Sequence, residues 1–177
     1  MTQHMKHRAR GPLVAATLGL AMLALCSASV HALDVGGIAP VFSLSSTRGK
    51  LDSASLKGKL VYVDFWASWC VPCKQSFPWM NEMQAKYGDR GLYVLAINVD
   101  AKAADAEKFL TQVPAKFQVA FDASGETPKQ FAVKHMPSSY LIDGDGRTVY
   151  VHAGFRESDK NTFEAAIVAA LEKMKKL

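Results

Sequence analysis

Ten consecutive residues determine most of the architecture of this chain: Phe65-Trp66-Ala67-Ser68-Trp69-Cys70-Val71-Pro72-Cys73-Lys74. They end an apolar run typical of a buried strand, and the Cys-x-x-Cys pair then opens a helix. The first turn of a helix offers unpaired backbone N–H groups and the positive end of the helix dipole, which favour a thiolate. We therefore predict that Cys70 is the nucleophile of thiol-disulfide exchange and that Cys73, one turn later, is the resolving thiol.

The N-terminus has the pattern of a signal peptide. The basic residues Lys6, Arg8 and Arg10 precede an uncharged apolar run at residues 11–28. Residues 30–32 then have the pattern of a small-residue cleavage site. We predict cleavage after Ala32 and a mature chain that begins at Leu33. A retained anchor in the inner membrane is the alternative, because the run approaches the length of a spanning helix. Either reading predicts an exported, periplasmic protein.

Composition limits the function classes. Removing residues 1–32 takes away three basic and no acidic residues, so the formal charge falls from +5 to +2. No basic stripe remains for a nucleic acid, and we expect none as a partner. Residues 33–177 suit one domain with a sizeable core, and we expect a monomer.

The cysteines point to chemistry rather than to structural cross-linking. Of three cysteines, Cys26 leaves with the signal peptide, and the other two share one motif. A loop closed by cysteines three positions apart gains little stability from a disulfide. The pair is therefore better explained as a redox dithiol, and we predict no cofactor and no metal.

Hydrophobic periodicity predicts an α/β fold. Residues 60–66 read as a strand covered on both faces, residues 70–87 as a helix that contains Pro78, and residues 92–99 as a second buried strand. This order implies parallel pairing through a right-handed crossover. Flanking segments predict a hairpin over residues 39–56, a helix at 103–111, a strand at 119–121 and a short helix at 127–131.

The C-terminal part predicts two antiparallel strands and a final helix. Residues 139–142 and 148–153 flank the turn sequence Asp143-Gly144-Asp145-Gly146, a strong hairpin signal. Ser158 or Asp159 can cap the helix. Its apolar stripe predicts a core face formed by Phe163, Ile167, Ala170, Leu171 and Met174.

Five motifs carry a family resemblance, at residues 39–44, 56–59, 65–73, 96–100 and 136–143. With them the chain resembles the thioredoxin superfamily, and within it the exported thiol-disulfide oxidoreductases of the TlpA/ResA/CcmG type. The resemblance implies a thioredoxin-like fold: a central mixed sheet flanked by helices, with an N-terminal β-hairpin and a central α/β insertion at about residues 101–120.

The same resemblance implies further site residues. Pro137 is expected to follow a cis peptide bond and to lie against the cysteine pair. The strand edge beside it pairs with the incoming peptide in such folds, which makes Met136 and Ser138 candidate substrate contacts. Trp69 is a candidate apolar platform for the substrate, although surface packing explains it equally well. Pro72 restricts the loop between the sulfurs and removes an N–H that could hold the thiolate.

Asp64 is an acid inside a strand predicted to be covered on both faces. Burying such a carboxyl is unfavourable unless it is protonated, paired with another group or part of the chemistry of the site, and burial raises its pKa. We predict that it accepts the Cys73 proton, directly or through a water; a purely structural hydrogen-bonding role is the alternative. Many TlpA/ResA-type proteins have Asn at the position of Asp64 and Glu at the position of Ser76. A role that depends on the carboxyl of that glutamate cannot be assigned to Ser76, which has no acidic group.

Three functions remain open from the sequence. The first is a protein-disulfide reductase, for which cytochrome c maturation or copper-site thiols are the usual task within the resemblance, and which needs a membrane thiol relay as electron donor. The second uses the same mechanism in the oxidising or isomerising direction. The third is a Sco-like copper-binding module, which would need His135 or His152 to complete its site.

Overall fold

The computed structural model describes residues 1–2 and 35–176. The predicted signal peptide, its anchor alternative and Cys26 lie almost wholly outside these residues. Within the described part, no helix combines the length and the apolar character that crossing a membrane requires.

Seven strands and four α-helices make up the described fold. The strands are β1 (Ser43–Ser46), β2 (Gly49–Asp52), β3 (Leu60–Trp66), β4 (Leu92–Asn98), β5 (Gln118–Phe121), β6 (Ser138–Ile142) and β7 (Thr148–Ala153). The helices are α1 (Val71–Tyr87), α2 (Ala103–Gln112), α3 (Glu126–Gln130) and α4 (Lys160–Met174). The predicted mixed α/β class and thioredoxin-like architecture are confirmed.

The sheet has the order β2-β1-β5-β4-β3-β6-β7. Strands β3, β4 and β5 run parallel, whereas the hairpins β1–β2 and β6–β7 pair antiparallel at the two ends. Helix α2 and strand β5 form the predicted insertion, and β5 joins the N-terminal hairpin to the sheet through β1. Every residue of β3 is buried, as expected for a central strand covered on both faces.

Two apolar clusters lie on the two faces of this sheet. Alternate residues of β3 enter each one: Tyr62 and Trp66 pack with α1 and α4, while Val63 and Phe65 pack with Phe131 and β6. The side chain of Asp64 therefore shares its face of β3 with Tyr62 and Trp66. This is also the face that holds both cysteines.

Three local predictions differ from the structure. The first strand begins at Ser43 rather than at residue 39, because Pro40 has no N–H to donate to a ladder and the N–H of Phe42 donates to the Ser53 hydroxyl instead. The second arm of the hairpin ends at Asp52, and Ser53–Leu56 forms a 3₁₀ turn instead of a strand. Asp159 stands at the start of α4 but does not cap it, because its carboxylate accepts the backbone N–H of Arg156.

The stripe predicted for α4 does face the core. Phe163, Ile167 and Leu171 are buried, while Ala170 and Met174 are partly buried against the same cluster.

Candidate active site

Cys70 and Cys73 form a disulfide at the start of α1, with their Cα atoms 5.3 Å apart. Cys70 is the N-cap residue, with an extended backbone, and its Sγ accepts the backbone N–H of Cys73 at 3.2 Å. An N-cap side chain accepts from the second or third helical residue. The second is Pro72, which has no N–H, so the bond comes from the third, Cys73.

The two sulfurs differ in accessibility. Cys73 is fully buried, whereas Cys70 retains 3% of its surface. Its chain neighbours Trp69 and Val71 are 69% and 67% exposed and form an apolar rim beside the motif. Of the two sulfurs, Cys70 is therefore the one nearer to the surface, and the assignment of nucleophile and resolving thiol stays a prediction. Trp66, by contrast, is core, with its ring packed on Phe77.

Replacing Pro72 with alanine is expected to raise the reduction potential by about 30 mV, making the protein a stronger oxidant. The alanine adds a second N–H near the Cys70 sulfur, which lowers the pKa of that thiol and stabilises the reduced form. Equilibration with glutathione redox buffers measures the change. A more negative potential in the variant would contradict this role for the proline.

Asp100 holds the loop that leads from β3 to Cys70. Its carboxylate accepts the backbone N–H of Ser68 at 2.8 Å, the Ser68 hydroxyl at 3.0 Å and the Asn98 side-chain amide at 2.7 Å. Asp100 is buried, and it follows the C-terminal end of β4, which is the parallel neighbour of β3. The sequence had marked residues 96–100 only as a family motif. This clamp depends on a contact across 32 positions.

Replacing Asp100 with alanine is expected to destabilise the oxidised protein by about 3 kcal/mol, because the partly buried N–H and hydroxyl of Ser68 and the buried side-chain amide of Asn98 all lose their acceptor. The variant Asp100→Asn keeps one acceptor oxygen and should recover part of the loss. Urea unfolding of the three proteins tests both statements. Equal stability of the alanine variant and the parent would show that the clamp is dispensable.

Asp64 is completely buried on the face of β3 that carries the cysteine motif. Its Oδ1 accepts the Ser139 hydroxyl at 2.7 Å, and its Oδ2 has no partner among the described residues. Burial raises the pKa of this carboxyl to about 7, although the Ser139 hydrogen bond acts in the opposite direction. The group can therefore take or release a proton near neutral pH.

The segment before β6 contains the predicted cis bond, between Met136 and Pro137. Strand β6 begins at Ser138, which pairs with Phe65 of β3 and with Ala153 of β7. Pro137 therefore lies at the end of the sheet from which β3 leads to Cys70. Ser138 is buried and its hydroxyl donates to the backbone oxygen of His135. Of the two predicted contacts, half-buried Met136 is the more accessible.

The remaining candidates have structural partners. At the position where many TlpA/ResA-type proteins have Glu, the buried Ser76 hydroxyl donates to the backbone oxygen of Cys73 and supplies no acid. His152 packs against Phe163, with its Nε2 3.4 Å from Asp159. In the described part of the chain, no three His, Cys, Asp or Glu side chains converge on a point that could hold a metal ion.

Comparison with known proteins identifies relatives over most of the chain. The Redoxin family model matches residues 34–167. The thiol-disulfide oxidoreductase ResA of Bacillus thuringiensis subsp. konkukian is 36% identical over 118 residues, which cover 66% of this chain and 68% of the relative. ResA of Bacillus subtilis is 30% identical over 138 residues and 77% of each chain.

Solved structures agree with these relatives. A crystal structure from Chlorobium tepidum, described as thiol:disulfide interchange protein DsbE, is 55% identical with a TM-score of 0.77. The match covers 78% of this chain and 99% of that one. A second structure from Chlorobium tepidum TLS, a thiol:disulfide interchange protein of the thioredoxin family, is 29% identical with a TM-score of 0.67, over 78% and 98% of the two chains.

Proposed function

The chain belongs to the Redoxin family, and we propose from that membership that it is an exported thiol-disulfide oxidoreductase that reduces protein disulfides. The observation that carries the proposal is the Cys70–Cys73 pair at the start of α1, with the helix N–H of Cys73 directed at the Cys70 sulfur. Catalysis of thiol-disulfide exchange requires an accessible sulfur, a stabilised thiolate and a second thiol one turn away. The motif supports the proposal with residual exposure at Cys70, a backbone N–H directed at the Cys70 sulfur and a second cysteine one turn away.

The reaction proceeds through a mixed disulfide. In the reduced enzyme, the Cys70 thiolate attacks one sulfur of the substrate disulfide, whose other sulfur leaves as a thiolate and takes up a proton. Cys73 then gives its proton to Asp64 and attacks the Cys70 sulfur. The second substrate thiolate departs, two electrons have passed to the substrate, and the enzyme holds the Cys70–Cys73 disulfide.

Asp64 supports this sequence as the proton acceptor for Cys73. Its pKa of about 7 matches a group that must change protonation near neutral pH. Its free oxygen, Oδ2, is the atom on which we place the proton. Thiol-exchange rates of Asp64→Asn that equalled those of the parent from pH 6 to 9 would remove Asp64 from the mechanism.

The hydrogen bonding at Cys70 favours reduction over oxidation. Strong oxidants of this kind owe their potential to a stabilised reduced form. Among the described residues, the Cys70 sulfur accepts one hydrogen bond, and Pro72 removes a second potential donor. We therefore propose a potential nearer to that of thioredoxin, about −270 mV, than to the −120 mV or so of an oxidant.

The proposed setting follows from export. A reductase in an oxidising compartment needs a supply of electrons, and we propose a membrane thiol relay as the donor to a monomeric periplasmic domain, residues 33–177. Cleavage after Ala32 and retention of residues 1–32 as an anchor are both compatible with this setting. Cytochrome c maturation and copper-site thiols are the proposed clients. Trp69, Pro72, Met136, Pro137 and Ser138 are the proposed substrate surface.

Trapping in the native cell envelope tests client and direction together. Cys73→Ala cannot resolve the mixed disulfide, so its clients should remain attached to Cys70. Cys70→Ala serves as the matched control and should capture none. Clients that accumulate in oxidised form when the protein is absent would support reduction. Clients that accumulate as free thiols, together with a potential near −120 mV, would reverse the proposed direction.

A further inference from the structure

Three buried side chains form a continuous hydrogen-bond chain behind the cysteine motif. The hydroxyl of Tyr62 donates to Ser139 Oγ at 2.8 Å, and Ser139 Oγ donates to Asp64 Oδ1 at 2.7 Å. Asp64 and Ser139 are direct partners in the β3–β6 ladder, and Tyr62 lies two residues before Asp64 on the same face. Because Tyr62 occupies the acceptor side of Ser139, the proton of Ser139 is directed to Asp64.

We infer that Ser139, anchored by Tyr62, is the positioning residue that orients the buried Asp64 carboxyl through a hydrogen bond to its Oδ1. The inference rests on the proposed role of Asp64 and identifies the residue that makes this role possible. The hydrogen bond fixes Oδ1 and so leaves Oδ2 to receive the proton. Without this hydrogen bond, nothing would oppose the rise in the pKa of Asp64 that burial causes.

Among the groups around Asp64, Ser139 is the one whose hydrogen bond opposes the rise in pKa that burial causes. The neighbour of Asp64 on β4 is Ala96. The other titratable side chains on this face are Tyr62 on its own strand, Cys70, Cys73 and Tyr87 at or on α1, and Tyr150 and His152 on β7, the last directly opposite Ser139. The raised pKa of Asp64 reflects burial, opposed by the Ser139 hydrogen bond, in the form of the protein whose two cysteines are joined in the disulfide. The pKa of Tyr62 is itself raised, by burial and then by the proximity of Asp64, so its hydroxyl remains a donor.

A pair of isosteric variants tests the hydroxyl directly. Ser139→Thr keeps the hydroxyl and Ser139→Val removes it, while both have the same shape. In the oxidised full-length protein, the carboxyl ¹³C resonance of Asp64 reports its titration without contribution from the cysteines. We expect the valine variant to titrate about one pH unit higher than the parent, the size of a lost hydrogen bond to a charged acceptor. The threonine variant should titrate as the parent does.

Two further variants complete the design. Tyr62→Phe should move the Asp64 titration in the same direction by less, because Ser139 keeps its own hydroxyl. Thr148→Val is the control, since it removes a buried hydroxyl from β7 that has no partner among the described residues. It should leave the titration unchanged. Ser139→Ala replaces the pair if the larger side chains prevent folding.

The outcomes separate this inference from the function on which it rests. Equal titration of the threonine and valine variants, or of the alanine variant and the parent, would overturn the positioning role. The pH profile of mixed-disulfide resolution gives a second readout, which should shift upward in Ser139→Val and flatten in Asp64→Asn. A parent-like profile in Asp64→Asn would refute the proposed role of Asp64. A flattened profile there with a parent-like one in Ser139→Val would refute only the inference about Ser139.

Discussion

Replacing Cys70 with alanine is expected to lower the rate of thiol-disulfide exchange by on the order of 10³-fold or more, because it removes the nucleophile itself. Replacing Cys73 should have a different effect. The first attack by Cys70 remains, but the product stays attached to the enzyme. With an aromatic disulfide that releases a coloured thiolate, reduced Cys73→Ala should release one equivalent and stop, whereas Cys70→Ala should show no such burst.

The asymmetry between the two variants follows from the structure of the helix start. Cys70 is the sulfur with residual exposure and the one that accepts a backbone N–H, and Cys73 lies beneath it. Ser76→Ala provides a control in the same helix, since the Ser76 hydroxyl donates its hydrogen bond to a backbone oxygen and not to a sulfur or to Asp64. Like the parent, it should release two equivalents and end as the Cys70–Cys73 disulfide. A burst from Cys70→Ala and none from Cys73→Ala would show that the roles are reversed.

Local sequence was sufficient for the elements that form the dithiol. A short apolar run followed so closely by a turn and a helix is typical of a doubly covered strand, and β3 and α1 lie within one residue of their predicted bounds. The buried acid was also identifiable, because Asp64 interrupts the apolar run. The chemistry of the site therefore follows largely from residues 60–74.

The partners of Asp64 could not be predicted in this way. Ser139 lies 75 positions further along the chain, and which residue of β6 faces Asp64 depends on the register of an antiparallel pair. A shift by one residue would turn Ser139 to the other face of the sheet and bring Ser138 to this one. The sequence offers two adjacent serines and no means of choosing between them. Asp100 presents the same difficulty, because its contact with Ser68 depends on the parallel pairing of β3 and β4.

Replacing Asp64 with asparagine is expected to stabilise the oxidised protein increasingly as pH rises. Below about pH 4 the carboxyl is protonated in both the folded and the unfolded chain, so it makes no pH-dependent contribution to the free energy of unfolding. Between about pH 4 and the folded pKa of about 7, the unfolded chain releases the proton while the folded protein keeps it, so stability falls as pH rises. Above this window the carboxylate costs about 4 kcal/mol, a cost that asparagine does not incur.

The measurement is the difference in unfolding free energy between parent and variant, from denaturant titrations of the disulfide form at pH 3 to 9. All other titrating groups are shared and largely cancel in this difference, which should grow by about 4 kcal/mol, mostly between pH 4 and 7. Asp145→Asn, which removes an exposed carboxylate from the β6–β7 turn, should give a nearly flat difference. A flat difference for Asp64→Asn as well would mean that Asp64 ionises in the folded protein as readily as in the unfolded chain. Such a carboxyl would already be ionised well below neutral pH and would be too weak a base to take the proton of Cys73.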